Sequence, residues 1–303
     1  MTIDATDGAV LVVGGTGKTG RRVVDRLRAR GVPTLVGTRS ANGVHFDWED
    51  PGTWRPALLG ARSAYITYFP DLAAPGAPAA IEAFAETAMD AGLERLVLLS
   101  GRGEEEAQES ERRLAKVADR WTVVRASWFC QNFSEGYLAD LVTAGEVRLP
   151  AGDMPEPFID TDDIADVAVA ALTDEGPTAD RHINRVYDVT GSQLVTFPEA
   201  IAEIGAAAGR ALRYEQVTLD DFATELAGAG VPGDVVGLLR YLFSEVLDGR
   251  NAHTTSGVEE ALGRPARTFG DYVRSTVGTG VWSAPSALPP GLSPAMPSGV
   301  SHA

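Results

Sequence analysis

The chain has 303 residues, 44% of them hydrophobic, enough for one large domain or two modest ones with buried cores. Its net charge of −16, with a pI near 4.7, repels a nucleic-acid backbone and argues against direct binding to one. The lone Cys130 rules out an internal disulfide framework, and His45, His182, His253 and His302 are too scattered to ligate a metal.

No apolar run reaches the length of a membrane span, and Met1–Asp7 is polar and acidic, unlike a secretory signal. A soluble protein of the reducing cytoplasm is expected. Lys18 and Lys116 are the only lysines among 26 basic residues, which reads as codon bias toward arginine.

In chain order, AVLVV (9–13), VPTLVG (32–37), GVHF (43–46), SAYITYF (63–69), RLVLLS (95–100) and WTVVRAS (121–127) read as strands. Between them, GRRVVDRLRAR sets Val23, Val24 and Leu27 on one helical face, and Gly31 closes it. A second helix carries Ile81, Phe84, Ala85 and Ala88 at helical spacing before Gly92. Alternation at this spacing predicts the α/β class: a doubly wound parallel sheet of right-handed βαβ units, a Rossmann arrangement.

After Ser127 the rhythm changes to a helix, a short extended piece and a second helix starting near Asp162; VYDVTG (186–191) reads as one more strand. FPEAIAEIGAAAGR, LDDFATELAGAG and VPGDVVGLLRYLFSEVLDG read as helices. The expected organisation is a dinucleotide-binding domain over 1–189, with part of 128–160 facing a smaller, mostly helical substrate lobe over 190–282. Residues 283–303, rich in Pro, Ser and Ala, are expected to be a disordered tail.

The chemistry starts at GGTGKTG (14–20). A nucleoside-triphosphate P-loop needs a glycine five residues before its GKT glycine, and that position holds Val12, inside the first strand. Gly15-x-Gly17-x-x-Gly20 and Gly14-x-x-Gly17-x-x-Gly20 instead satisfy two forms of the dinucleotide fingerprint, between a strand and a helix. One glycine makes the tight turn, Gly17 admits the pyrophosphate to the backbone, and Gly20 permits close helix–strand packing. Free N–H groups and the positive helix end attract the phosphates. About 20 residues on, where an NAD site carries an acid, VGTRS supplies Arg39. That favours NADP, as NADPH, with NAD as the alternative. FDWED (46–50) sets Asp47 and Trp48 beside the adenine.

The chain resembles the NmrA-like family of atypical short-chain dehydrogenase/reductase relatives, which includes quinone reductases, dye reductases and redox-sensing regulators. The resemblance runs from about residue 9 to 275 and is carried by VVGGTGKTGRRVV, YFPD (68–71), LLSGRGEE (98–105), VVRASWFCQNF (123–133) and FIDTDDIADVAVAAL (158–172). It implies that Gly14, Thr16, Gly17, Lys18 and Thr19 meet the pyrophosphate and Arg39 the 2′-phosphate. It also implies that Tyr68, Phe69 and Pro70 flank the cofactor ribose, with Ser100 and Gly101 near the nicotinamide. Trp128, Phe129, Gln131 and Asn132 then line the substrate side. Asp162 or Asp163 is read as a helix cap.

One departure shapes the functional expectation. The superfamily's Tyr-x-x-x-Lys pair is absent, because Gly14 and Arg112 stand four residues before the two lysines. Lys116, a dozen residues along its helix, is expected at the surface, which leaves no visible side-chain acid. Hydride transfer without one suits an electrophilic acceptor, a quinone or polycyclic polyketide-like aromatic of secondary metabolism, stacked on Tyr65, Tyr68, Phe69, Trp128, Phe129 and Phe133. The expected partner is a small aromatic molecule, with no membrane and no direct nucleic-acid contact, and a homodimer is compatible. The alternatives are a non-catalytic NAD(P)-sensing regulator and a polyketide-tailoring isomerase or monooxygenase-type enzyme on the same fold.

Overall fold

The computed structural model describes residues 8–283. Strand β1 (Ala9–Val13) is buried along its whole length, and a strand covered on both faces must be apolar throughout, as AVLVV is. It sits inside a sheet with β2 (Thr34–Thr38), β3 (Val44–His45), β4 (Ala61–Ile66), β5 (Arg95–Gly101) and β6 (Trp121–Ala126). Outside that sheet lie β7 (Glu146–Leu149) and β8 (Pro155–Glu156); β9 (Arg185–Val189) returns to its edge. Two short strands, β10 (Val195–Thr196) and β11 (Arg213–Gln216), pair with β8 and β7.

The main sheet has seven strands in the order β3-β2-β1-β4-β5-β6-β9, every neighbouring pair parallel. Strand order reverses between β1 and β4, and a doubly wound sheet opens a crevice at the carboxyl ends of such a pair. The expected α/β Rossmann class is the observed one.

Helices cover both faces. In the first half they are α1 (Gly20–Ala29), α2 (Trp54–Ala57), α3 (Ala77–Asp90) and α4 (Glu105–Val117). Then come α5 (Tyr137–Ala144), α6 (Thr161–Thr173), α7 (Pro177–Asp180) and α8 (Phe197–Ala208). The last four are α9 (Leu219–Gly228), α10 (Gly233–Tyr241), α11 (Gly257–Leu262) and α12 (Phe269–Val277). One core buries Val23, Leu27, Ile164 and Val258 against the sheet, and a second buries Trp54, Ile81, Phe84 and Leu114 on the other face. A third, with Phe133, Phe158, Phe197, Phe222 and Tyr272, lies in the carboxyl-terminal half.

Two local readings change. The cap of α6 is Asp160, whose carboxylate accepts the Asp162 N–H at 2.8 Å; neither Asp162 nor Asp163 caps the helix. Asp162 instead pairs with Arg26 at 2.8 Å, and the fully buried Asp163 is held by Arg264 at 2.8 Å and by Arg267. These arginines reach α6 from α1 and from the loop after α11, so the acids clamp helices together. VPGDVVGLLRYLFSEVLDG is also not one regular helix, because α10 passes into a π-helical turn over Leu242–Val246. The tail expected from Ser283 lies outside the described residues save for Ser283 itself. Among the described residues no helix is long and apolar enough to cross a membrane.

The clamp is testable. Asp163→Asn leaves the arginines facing a neutral group; their side chains are 37% and 34% exposed, so water screens part of the loss. The expected destabilisation is about 3 kcal/mol, the low end for breaking a buried pair, read as a lower urea midpoint at unchanged m-value.

Candidate active site

Beyond Val13 the chain turns through Gly14 at φ +68°, a left-handed conformation that favours glycine. Crowding demands glycine as well: a Cβ on Gly14 would stand 2.2 Å from Thr67 Oγ1, and one on Gly20 would stand 2.1 Å from the Gly14 carbonyl oxygen. Helix α1 therefore starts hard against the end of β1. Among the described residues, no acceptor receives the backbone N–H groups of Thr16, Lys18 or Thr19. Unpaired donors at a helix start form an anion cradle. Gly15 has another role. Its N–H donates to the Gly37 carbonyl at 3.2 Å and a Cβ there would strike Val36, so it seats the loop on β2 rather than lining the cavity.

The cradle opens into a cavity of about 890 Å³ at the carboxyl ends of β1, β2, β4, β5 and β6. Arg39, exposed after β2, stands at its rim with the guanidinium 4.9 Å over the Phe69 ring. Trp48 also lines the wall; its Nε1–H donates to the Thr67 carbonyl at 3.0 Å and its ring lies 4.9 Å from Tyr68. Asp47 mainly builds the local turn, accepting the Glu49 N–H at 3.0 Å and the Trp54 Nε1–H at 2.8 Å on its carbonyl. Burial, with the Glu49 charge, raises the Tyr68 phenol above its ordinary range, so it stays protonated.

Across the cavity stand Ser100, Gly101, Trp128, Phe129 and Asn132. The Ser100 hydroxyl is committed, donating at 2.6 Å to Glu111, which Arg125 also holds. Gln131 departs from its expected place on the substrate side. Buried away from the cavity, it bonds Asp160 at 2.7 Å and the Thr161 N–H at 2.9 Å, and so fixes the start of α6. Tyr65 and Phe133 are fully buried core residues, not stacking surfaces. The remaining apolar wall comes from Phe222 and from α10 and its π-turn: Leu238, Leu239, Leu242 and Phe243. Helix α10 has no buried residue at all, so its leucines face the cavity half-exposed.

Lys18 proves more informative than its coincidental GKT context suggested. Its ammonium donates to Asn132 Oδ1 at 2.9 Å, bridging the phosphate loop and the substrate side. Burial lowers the amine's pKa. Beside it, Arg22 donates at 2.8 Å to Glu135, which Arg21 also contacts. Burial alone would raise the Glu135 carboxyl, but the two arginines outweigh it and hold it ionised. Residues 132–135 are thereby strapped to α1. Lys116 is exposed on α4, as expected.

One pair escaped the sequence reading. Asp71, after β4, and Glu104, at the start of α4, lie within hydrogen-bonding reach of each other in the cavity wall. The Glu104 carboxyl packs on Gly101, where a Cβ would stand 2.1 Å from its Oε2. Burial first, and the Asp71 carboxyl second, raise Glu104 well above the ordinary carboxylate range; burial also raises Asp71, against the hydrogen bonds it makes with the Ala73 N–H and Glu104. The available signal was positional: Asp71 follows β4 and Glu104 follows β5, within a few residues of adjacent strand ends at the cavity.

These elements match known proteins, although no family model matches the chain. The NAD(P)H azoreductase of Xenophilus azovorans is 30% identical over 289 residues, spanning 88% of this chain and 97% of that protein. The chain belongs to the NmrA-like family. Two solved structures share the NmrA-like fold. The NADPH-dependent quinone oxidoreductase of Escherichia coli, complexed with NADPH, has a TM-score of 0.71 at 21% identity, covering 88% of this chain and 99% of that one. NmrA itself, a negative transcriptional regulator solved with NADP, has a TM-score of 0.68 at 17% identity, covering 90% and 96%. Within the NmrA-like family, this chain is an NAD(P)H-dependent oxidoreductase.

The cradle fits a dinucleotide on its own terms, through unpaired N–H donors, glycines where a Cβ would intrude and a cation at the rim. A further buried acid borders the site. Glu156, 2% exposed, accepts the Trp128 N–H and is pushed up to about 7 by burial, against the pull of that bond and of Arg102. The folded state then binds a proton that the unfolded state releases, so stability falls as pH rises from about 5 to about 7 and levels above. Glu156→Gln removes that decline, as melting temperatures measured across the range will show.

Proposed function

We propose that this chain is an NADPH-dependent reductase that passes hydride to a flat, apolar, conjugated acceptor, a quinone or polycyclic polyketide-like aromatic. The observation that carries this reading is the single cavity wall that joins an anion cradle to an apolar chamber. Gly14, Thr16, Gly17 and Thr19 hold the pyrophosphate, and Arg39 with Ser40 meets the 2′-phosphate. Trp48, Tyr68, Phe69 and Pro70 enclose the adenosine and ribose side. A bound nicotinamide supplies the reducing equivalent, beside Ser100 and Gly101.

The acceptor lies between that position and Trp128, Phe129 and Asn132, under the leucines of α10. Trp128 is held for this by packing on Phe243 at 5.0 Å and edge-on to Phe197 at 5.6 Å. An apolar chamber excludes water from the reacting faces and selects aromatic surface over small polar carbonyls. Residues through 189 thus form the dinucleotide domain and 190–282 the lobe that shapes the acceptor side.

Two substitutions separate the halves. Arg39→Ala raises the KM for NADPH about tenfold or more, the value of a charged hydrogen bond, and leaves that for NADH within about twofold. Equal losses for both cofactors refute the 2′-phosphate assignment. Trp128→Ala raises the KM for 2-methyl-1,4-naphthoquinone while NADPH binding, followed by fluorescence, stays at its wild-type value. Tight NADPH binding with no turnover across quinones and polycyclic aromatics refutes the acceptor class.

A further inference from the structure

Two-electron reduction of a conjugated acceptor leaves an anion that needs one proton, and the cavity wall holds a group suited to provide it. Glu104 is 8% exposed, and its Oε2 is buried with no donor among the described residues. The Asp71 carboxyl beside it accepts the Ala73 N–H at 2.9 Å, which settles one of its oxygens. Two carboxyls within hydrogen-bonding reach must share a proton, because two carboxylates offer acceptors only. Both line the cavity, Asp71 after β4 and Glu104 after β5.

Resting on the reductase reading above, the geometry points to the Asp71–Glu104 pair as the proton donor to the reduced acceptor. The carboxylic O–H bond breaks, its proton forms the O–H or N–H bond of the product, and water entering after product release reprotonates the pair. The electrons come from NADPH, so the pair itself is neither oxidised nor reduced. A wall-bound donor also replaces the missing Tyr-x-x-x-Lys chemistry by a different route.

The surroundings keep the proton in place. On Glu104's own helix stand Glu106 and Glu111, both of which raise it further. From α10, Tyr241 stands near enough to feel the Glu106 and Glu104 charges, a neutral phenol raised by burial. Arg102, two residues before Glu104, is engaged by Asp188 at 3.0 Å and by the His253 ring at 2.6 Å. Arg125 is spent on Glu111. Glu104 begins α4 but makes no capping hydrogen bond, so the helix start does not hold it as an anion.

Glu104→Gln and Asp71→Asn test this with two readouts. First, melting temperatures of both variants and wild type are compared from about pH 5 to about pH 9. A buried acid that stays protonated loses stability as pH rises, so the variants' advantage over wild type should widen with pH. A constant offset overturns the shared proton. Second, kcat for 2-methyl-1,4-naphthoquinone with NADPH is measured across the same range. Wild type should fall as pH rises through the pair's titration, while Glu104→Gln should be about 100-fold slower and flat, with KM for NADPH unchanged. Wild-type rates in both variants overturn the donor role alone. A wild-type protein that binds no NADPH overturns the reductase reading, and the donor role with it, whereas the melting comparison still decides whether the proton is shared. If one variant does not fold, the other carries both readouts.

Discussion

The approach of Gly20 to the Gly14 carbonyl is the contact on which the rest of the site depends. A Cβ there would sit 2.1 Å from a backbone oxygen, and backbone cannot move aside as a flexible side chain can. Because that contact is allowed, α1 begins at the very end of β1 and its free N–H groups point into the crevice between β1 and β4. Every later element of the cavity is arranged around that point. The strap over residues 132–135 is tied to α1 through Lys18, Arg21 and Arg22, and α6 is tied to α1 through Arg26.

Charge is distributed by the same geometry. The net charge of −16 gives no hint of a cationic site, yet the cavity sets Arg39 at one end and Lys18 at the bridge. In the same cavity wall two acids, Asp71 and Glu104, lie within hydrogen-bonding reach of each other. One cavity thus holds a polar end lined by unpaired N–H donors, an apolar chamber and a wall with two buried acids. This division suits hydride reduction, in which a charged cofactor must be anchored while the reacting faces stay dry. In the proposed reaction the carboxyl pair takes the place of the Tyr-x-x-x-Lys acid, which this sequence lacks.

The legible part of the site follows from local rules. The glycine spacing, the strand before it and the helix after it need no tertiary information, and neither does Arg39 at the end of β2. Gln131 shows where such reading stops. It sits in the motif between Phe129 and Asn132, both cavity residues, but a one-turn helix at Cys130–Phe133 rotates its amide inward to Asp160 and Thr161. Gly15 shows the same effect, since it stands between Gly14 and Thr16, both cavity residues, yet lies outside the cavity lining. The cap of α6 is Asp160, two or three residues before the acids read as caps, because only backbone geometry decides which of three closely spaced aspartates sits at the helix start.

By itself the sequence determined the α/β class, the parallel doubly wound sheet, the phosphate loop and the arginine after β2, because these depend on periodicity and on spacing over a few residues. Only the tertiary structure decided that Asp71 and Glu104, 33 positions apart, share one buried wall, that Lys18 reaches Asn132, and that α10 turns its leucines toward the same chamber. The physical reason is the parallel crossover. It carries the ends of strands distant in sequence to one edge of the sheet, where residues meet by topology rather than by proximity along the chain.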